Sequence, residues 1–202
     1  MNKKWLQERR KDIFVKLAKN KGFRSRAAFK LLHIQKKYNI IKKGDIIIDL
    51  GAAPGGISQA ASQLTGDKGL VISIDIKPIK PFEEKNIITL QKDIYDPYLI
   101  KEIFKITNGK KVDVIISDVS PHLSGIHEID IAKQLDIAYR CLEIANGLLK
   151  KDGFFIIKLF ESPDAKEFEK NISEKYRIIK KEITPATKKG SSEYFLIISK
   201  NF

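Results

Sequence analysis

At positions 49–56 the chain reads DLGAAPGG, between the apolar run IIID at 46–49 and the helix-forming ISQAASQL at 57–64. A strand that opens into a glycine-rich turn and then a helix is one way to hold a nucleotide-like ligand. Small residues admit the ligand to the backbone, and the helix N-terminus offers free N–H groups. Acidic residues then recur where apolar runs end. Asp75 closes LVISID, about 20 residues past the turn, where an acid meets ribose hydroxyls in dinucleotide folds. Asp93 follows the next run, in QKDIYD, and Asp118 closes VDVIISD. Lys158 stands inside FFIIKLF, and Glu193 opens the closing run EYFLIIS. A lysine in a strand buried on both faces needs an acidic partner, a route to solvent or a chemical task.

These residues converge only if the elements bring them together. Strands are expected at 45–50, 70–75, 87–91, 112–118, 153–160, 176–182 and 193–199, and helices at 25–38, 56–65, 97–107, 130–150 and 163–174. Such alternation predicts an α/β chain with a mostly parallel sheet covered by helices on both faces. The connection 183–192 is too short for a comfortable helical crossover, so the last strand should run antiparallel. Glu193 would then begin at the edge where the parallel strands end, which is where open α/β sheets bind ligands. In the first helix Ser25 is the expected N-cap, with Ala28, Leu31, Leu32 and Gln35 near one face.

Charge is concentrated at one end. The net charge is +13, and residues 1–43 hold 15 Lys and Arg against Glu8 and Asp12, while residues 44–202 hold 23 basic and 23 acidic residues. The whole excess sits on an N-terminal segment, the footprint of a polyanion-binding surface. The segment lacks the strongly apolar opposite face of a membrane-surface helix.

Other classes are excluded or disfavoured. No apolar run approaches the ~18–20 residues of a membrane span, and the N-terminus has no apolar h-region. With no targeting signal visible, the cytoplasm is the default location and an organelle the alternative. Cys141 is a lone cysteine, and His33, His122 and His127 are too scattered for a recognisable metal site. A GxSxG elbow and a lysine after the glycine loop are both missing. GAAPGG also departs from the GxGxxG of nicotinamide-dependent reductases.

The segments GFRSRAAFKLL (22–32), DLGAAPGG, VISIDIKP (71–78), ISDVSPHLSG (116–125), FFIIKLFE (154–161) and SSEYFLI (191–197) resemble the FtsJ/RlmE family of S-adenosylmethionine-dependent ribosomal RNA 2′-O-ribose methyltransferases. The resemblance covers nearly the whole chain. It implies a Rossmann-like class I methyltransferase of one domain, 1–202, with residues 1–43 as a basic helical RNA-binding extension. It also implies a catalytic tetrad of Lys30, Asp118, Lys158 and Glu193. Cofactor contacts fall on Gly55, Ile57, Asp75, Asp93 and Asp118, with no metal. RNA phosphates would meet Arg24, Arg26 and Lys30. Lys158 is either the base for the ribose 2′-hydroxyl or the group that positions it. Bacterial relatives place tryptophan at Ile57 and asparagine at His122. The implied partner is large-subunit ribosomal RNA or the large subunit, at a uridine in the peptidyl-transferase region, and the implied state is a monomer. The alternatives are the tRNA anticodon-loop branch of the family and a non-catalytic ribosome-assembly protein. The glycines at 51 and 56 favour the ribosomal branch.

Overall fold

The computed structural model describes residues 13–173, 176–187 and 190–200. Residues 1–12 of the expected basic extension lie outside the described residues. Thirteen elements follow in order: α1 (Ile13–Asn20), α2 (Ala27–Tyr38), β1 (Ile46–Leu50), α3 (Gly56–Thr65), β2 (Leu70–Asp75), β3 (Ile87–Gln91), α4 (Leu99–Ile106), β4 (Val112–Ser117), α5 (His127–Leu148), β5 (Leu149–Phe160), α6 (Pro163–Ser173), β6 (Arg177–Glu182) and β7 (Glu193–Ser199). The strands form one seven-stranded sheet in the order β3-β2-β1-β4-β5-β7-β6. β7 is antiparallel to both neighbours, and every other pairing is parallel. The fold class and the direction of the last strand are as the sequence implied.

The period-2 alternation of a strand sorts its residues between two cores. Ile47, Val71, Val114, Ile116, Ile156, Phe195 and Ile197 pack under α1, α2 and α3 with Ala28, Leu31, Ile34 and Ala60. Ile48, Ile72, Ile115, Phe155, Ile157, Leu196 and Ile198 pack on the other face, beneath α4, α5 and α6, with Leu99, Cys141 and Phe168. The same parity continues to the strand ends. Asp118 follows Ile116, Lys158 follows Ile156, and Glu193 precedes Phe195, so all three belong to the face that α2 covers.

Three local expectations change. α2 begins at Ala27 with Arg26 as its N-cap and no side-chain capping bond. Ser25 does not cap, because its hydroxyl is packed against Gly56, where a Cβ would lie 2.2 Å from Ser25 Oγ. Leu32 and Gln35 are only partly buried, and Ile34 fills the core position instead. Gln35 closes the helix end by bonding both the N–H and the carbonyl of Ile41, each at 2.8 Å. β5 starts four residues early. The KKDG segment, which has the composition of a turn, is a bulged strand entry in which Leu149 pairs with Val112. There Asp152 adopts a φ of 61° and donates its N–H to the Lys200 carbonyl.

Candidate active site

β4, β5, β7 and α2 each contribute one charged side chain to a single cluster at the rim where the parallel strands end. Lys30 Nζ lies 3.1 and 3.2 Å from the two carboxylate oxygens of Asp118 and 2.9 Å from Glu193 Oε1. Lys158 Nζ lies 3.0 Å from Asp118 Oδ1, donates to the Asp118 carbonyl at 2.8 Å and donates to Ser120 Oγ. Asp118 is thus shared by two ammonium groups. All four side chains are largely buried, Lys158 most deeply at 4% exposure and Lys30 at 8%. The acidic partner that Lys158 required is Asp118.

The electrostatics of the cluster are reciprocal. Burial alone would raise the Asp118 carboxyl, but the charges of Lys158 and Lys30 and their hydrogen bonds hold it below the usual carboxylate range. Burial pulls Lys30 down, yet Asp118 and Glu193 together push it above the ordinary lysine value. Glu193 Oε1 forms a 2.9 Å ion pair with Lys30, and among the described residues no other donor reaches it. One carboxylate oxygen in the cluster therefore retains a lone pair for a further donor.

Three contacts fix this cluster to its scaffold. The Asp118 N–H donates to the Leu50 carbonyl at 3.2 Å, tying the end of β4 to the end of β1. Gln134 of α5, 2% exposed, donates to the Lys158 carbonyl at 2.8 Å and more weakly to the Val119 carbonyl at 3.5 Å. Lys30 Nζ stands 5.2 Å from the centre of the Phe195 ring, the residue paired with Lys158 across the strands. Sequence reading missed Gln134, whose helical spacing alone marks it as one more inward-facing position.

The glycine turn lies beside this rim. Asp75 is oriented by backbone, accepting from Ala53 N–H and from Lys77 N–H, each at 2.8 Å. Each of its oxygens keeps a lone pair for a further donor. Asp93 is exposed and accepts from the Tyr95 N–H at 3.0 Å. Ile57, in the first turn of α3, is 3% exposed, with its side chain packed in the α2-side core. Beneath the turn Asp49 is fully buried and accepts from Ser58 Oγ at 2.6 Å, while its Oδ1 has no partner among the described residues. Burial, with the charges of Asp118 and Asp75 adding to it, pushes this carboxyl up to about 7 against the opposing Ser58 bond. The carboxylates of Asp75, Asp93 and Asp118 are acceptors only. They suit a ligand bearing hydroxyls, an amine and a positive charge, held against a small-residue turn.

The Arg24 guanidinium turns onto the 76–86 loop, and Arg26 sits at the start of α2. His122 and His127 are exposed. No group of three His, Cys, Asp or Glu among the described residues could hold a metal ion. None of the helices among the described residues is long and apolar enough to cross a membrane.

Residues 23–201 match the family model described as FtsJ-like methyltransferase. The chain is 41% identical over 201 residues to Ribosomal RNA large subunit methyltransferase E of Methanocaldococcus jannaschii, covering 97% of this chain and 81% of that protein. It is 38% identical to the protein of the same name from Acinetobacter baumannii, with 96% and 88% covered. A Plasmodium falciparum structure provisionally described as a ribosomal RNA methyltransferase aligns with a TM-score of 0.74 at 22% identity, over 89% of this chain and 98% of that one. Fibrillarin of Aeropyrum pernix, solved with natively bound S-adenosyl-L-methionine, aligns with a TM-score of 0.61 at 16% identity, over 86% and 73%. At those identities the two structures bear on the fold alone.

Proposed function

The chain belongs to the FtsJ-like methyltransferase family, and from that premise we propose that it methylates a ribose 2′-hydroxyl of large-subunit ribosomal RNA with S-adenosylmethionine. The observation that carries the reaction is the cluster of Lys30, Asp118, Lys158 and Glu193 at the rim beside the glycine turn. The names of the relatives that align along almost the whole chain support the substrate class. The residues fit the cofactor. Asp75 would accept from its ribose hydroxyls and Asp93 from its adenine amine, Gly55 and Ile57 would face it with backbone, and Asp118 would lie toward its charged end. Bound there, it supplies an electrophilic methyl group.

The chain's own part is to align and deprotonate a poor nucleophile. Lys158 in its neutral form, its Nζ having first released a proton to solvent, takes up the proton of the 2′-hydroxyl, and Asp118 orients that nitrogen and holds Lys30 beside it. Lys30 and Glu193 place the hydroxyl, the remaining lone pair on Glu193 Oε1 receiving a donor from the nucleotide. The basic 1–43 segment would hold RNA phosphates as an extension of a single methyltransferase domain. The target is taken to be a uridine of the peptidyl-transferase region, and the enzyme a cytoplasmic monomer.

The test is tritiated-methyl transfer from S-adenosylmethionine to purified large subunits, large-subunit ribosomal RNA and tRNA, with wild type and Lys158→Ala compared. Ribose label in one ribosomal fraction, absent with the variant, is expected. Label in tRNA alone would move the substrate to the anticodon loop, and no label despite cofactor binding would overturn the reaction. RNA affinity should also fall steeply with salt, with a logarithmic slope of roughly −0.7 to −0.9 per phosphate neutralised.

A further inference from the structure

Arg24 has the sequence setting of a phosphate contact, in a basic stretch beside Arg26, but its guanidinium is engaged at the surface by the protein's own carbonyls. Nη1 donates to the Lys80 carbonyl and, at a longer 3.4 Å, to the Pro54 carbonyl, while Nη2 donates to the Pro81 carbonyl. The guanidinium carbon stands 3.9 Å from the centre of the Phe82 ring, a stacked cation–π arrangement. The Arg24 backbone N–H donates to Gln59 Oε1 of α3 at 2.8 Å. Gln59 in turn donates to Glu84 Oε1 at 3.2 Å and, at 3.4 Å, to the Gly22 carbonyl.

These contacts join three pieces of chain. One is the linker between α1 and α2, on the basic side of the molecule. The second is the glycine turn, through Pro54 and Gly55. The third is the 76–86 loop, which begins directly after Asp75. Phe82 rests on Gly55 so closely that a Cβ there would lie 2.6 Å from the ring and 3.2 Å from Arg24 Cδ. Gly55 also has a φ of +113°, so it is the one residue type that suits both the backbone and the ring.

We propose that Arg24 is a positioning residue of the cofactor site: by clamping the 76–86 loop and the Phe82 ring onto the glycine turn, it sets the walls against which the cofactor binds. The inference rests on the reading that the cofactor lies on the glycine turn and Asp75. Arginine is required because lysine can neither span two carbonyls with a planar fork nor stack on the ring in the same way. Arg24 then adds little to phosphate binding, since its donors already point at carbonyls. Ordering the linker also orders the turn, so the RNA-side segment and the cofactor site share one fastening.

The experiment measures binding of S-adenosylmethionine, without RNA, by titration calorimetry on wild type, Arg24→Ala, Arg24→Lys, Phe82→Ala and Asp75→Ala. The salt dependence of ribosomal RNA binding is measured on the same proteins, with thermal unfolding as a check on folding. Arg24→Ala should weaken cofactor binding about tenfold, equivalent to one lost hydrogen bond to a charged group. Arg24→Lys should not restore it, Phe82→Ala should weaken it while keeping the charge, and the salt slope should match wild type. The proposal is overturned if Arg24→Ala binds the cofactor like wild type and lowers the salt slope by about one phosphate contact. Unchanged cofactor affinity in Phe82→Ala also overturns it. Asp75→Ala separates the two readings, since full cofactor affinity in that variant would remove the assumed cofactor position instead.

Discussion

Helix α2 builds two carboxylate-centred clusters, and they differ in how their carboxylate oxygens are held. Near its start Lys30 joins Asp118, Lys158 and Glu193. One and two turns later, His33, Lys37 and Tyr38 converge on Glu182 at the end of β6. His33 Nε2 and Lys37 Nζ each lie 2.7 Å from Glu182 Oε1, and Tyr38 donates to Oε2 at 2.7 Å. The Glu182 carboxyl is pulled down to about 2: burial opposes the shift, and the bonds from Lys37, Tyr38 and His33 outweigh it. An ionised carboxylate only accepts, so His33 must carry its proton on Nε2. Both oxygens of Glu182 are used. In the rim cluster two carboxylates share two lysines, and Glu193 Oε1 has no donor among the described residues beyond its ion pair with Lys30. A cluster in which every carboxylate oxygen has a hydrogen-bond donor fastens a helix to a sheet, whereas one with an oxygen held only by an ion pair, beside the glycine turn, can receive a donor from a substrate.

The contrast predicts unequal consequences. Lys158→Ala and the volume-keeping Lys158→Met should lose methyl transfer by roughly 10²–10⁴-fold, the range for a general acid–base group, while unfolding close to the wild-type midpoint. Single-turnover assays with saturating RNA and cofactor measure this. Near-normal turnover in both variants would make the rim cluster a second fastening and erase the distinction.

Asp49 sharpens the contrast as a buried carboxyl outside both clusters, one that no cation among the described residues reaches in a hydrogen bond. Its folded value of about 7 lies above the ordinary aspartate value near 3.8. Between those values the native chain keeps a proton that the unfolded chain has lost, so stability falls as pH rises from about 4 to about 7. The expected loss is roughly 2–4 kcal/mol, and Asp49→Asn should flatten it. Denaturant unfolding from pH 4 to 8 reads the effect, and parallel profiles for both proteins would show Asp49 to be ionised in the fold.

How far these clusters could be read from the sequence follows from their geometry. Asp118, Lys158 and Glu193 are visible because each interrupts or bounds an apolar run, and strand parity then sends them to one face. The antiparallel β7 follows from a short connection. Lys30 is different. Nothing in RSRAAFKLL distinguishes a buried lysine from the surface lysines around it, and only the resemblance singled it out. The Glu182 cluster was illegible, because Glu182 reads as one more charge on an edge strand and its partners lie 144–149 residues away. The engagement of Arg24 with the 76–86 loop was equally hidden, since its partners are backbone carbonyls, which every residue possesses.

Removing the hub of the fastening should cost less than the Lys158 change costs the reaction. Glu182→Ala should lower unfolding stability by about 1–3 kcal/mol, the usual range for a lost buried hydrogen-bonding group. Its partners reach solvent, so no charge is stranded in the core. The carboxyl is depressed in the fold, so its contribution is present above about 4.5 and fades as pH falls toward about 2. Acid unfolding of wild type and Glu182→Ala should therefore converge at the low end of that window. A constant gap between them down to pH 2 would assign the cost to packing.

The smallest effect tests how much of the fastening is electrostatic. The Lys37 side chain is 50% exposed although it lies 2.7 Å from Glu182, whose own side chain is 7% exposed. Water screens the outer partner, so Lys37→Met should cost only about 0.2–1 kcal/mol. Most of that difference should vanish at 1 M salt, where the screening length is about 3 Å. Tyr38→Phe makes the useful partner measurement, since it removes a neutral donor whose bond salt does not screen. If Lys37→Met costs more than Tyr38→Phe and the excess survives high salt, the ammonium is behaving as a buried charge. The Glu182 cluster would then resemble the rim cluster, with its buried ammonium groups, more closely than the exposure of Lys37 suggests.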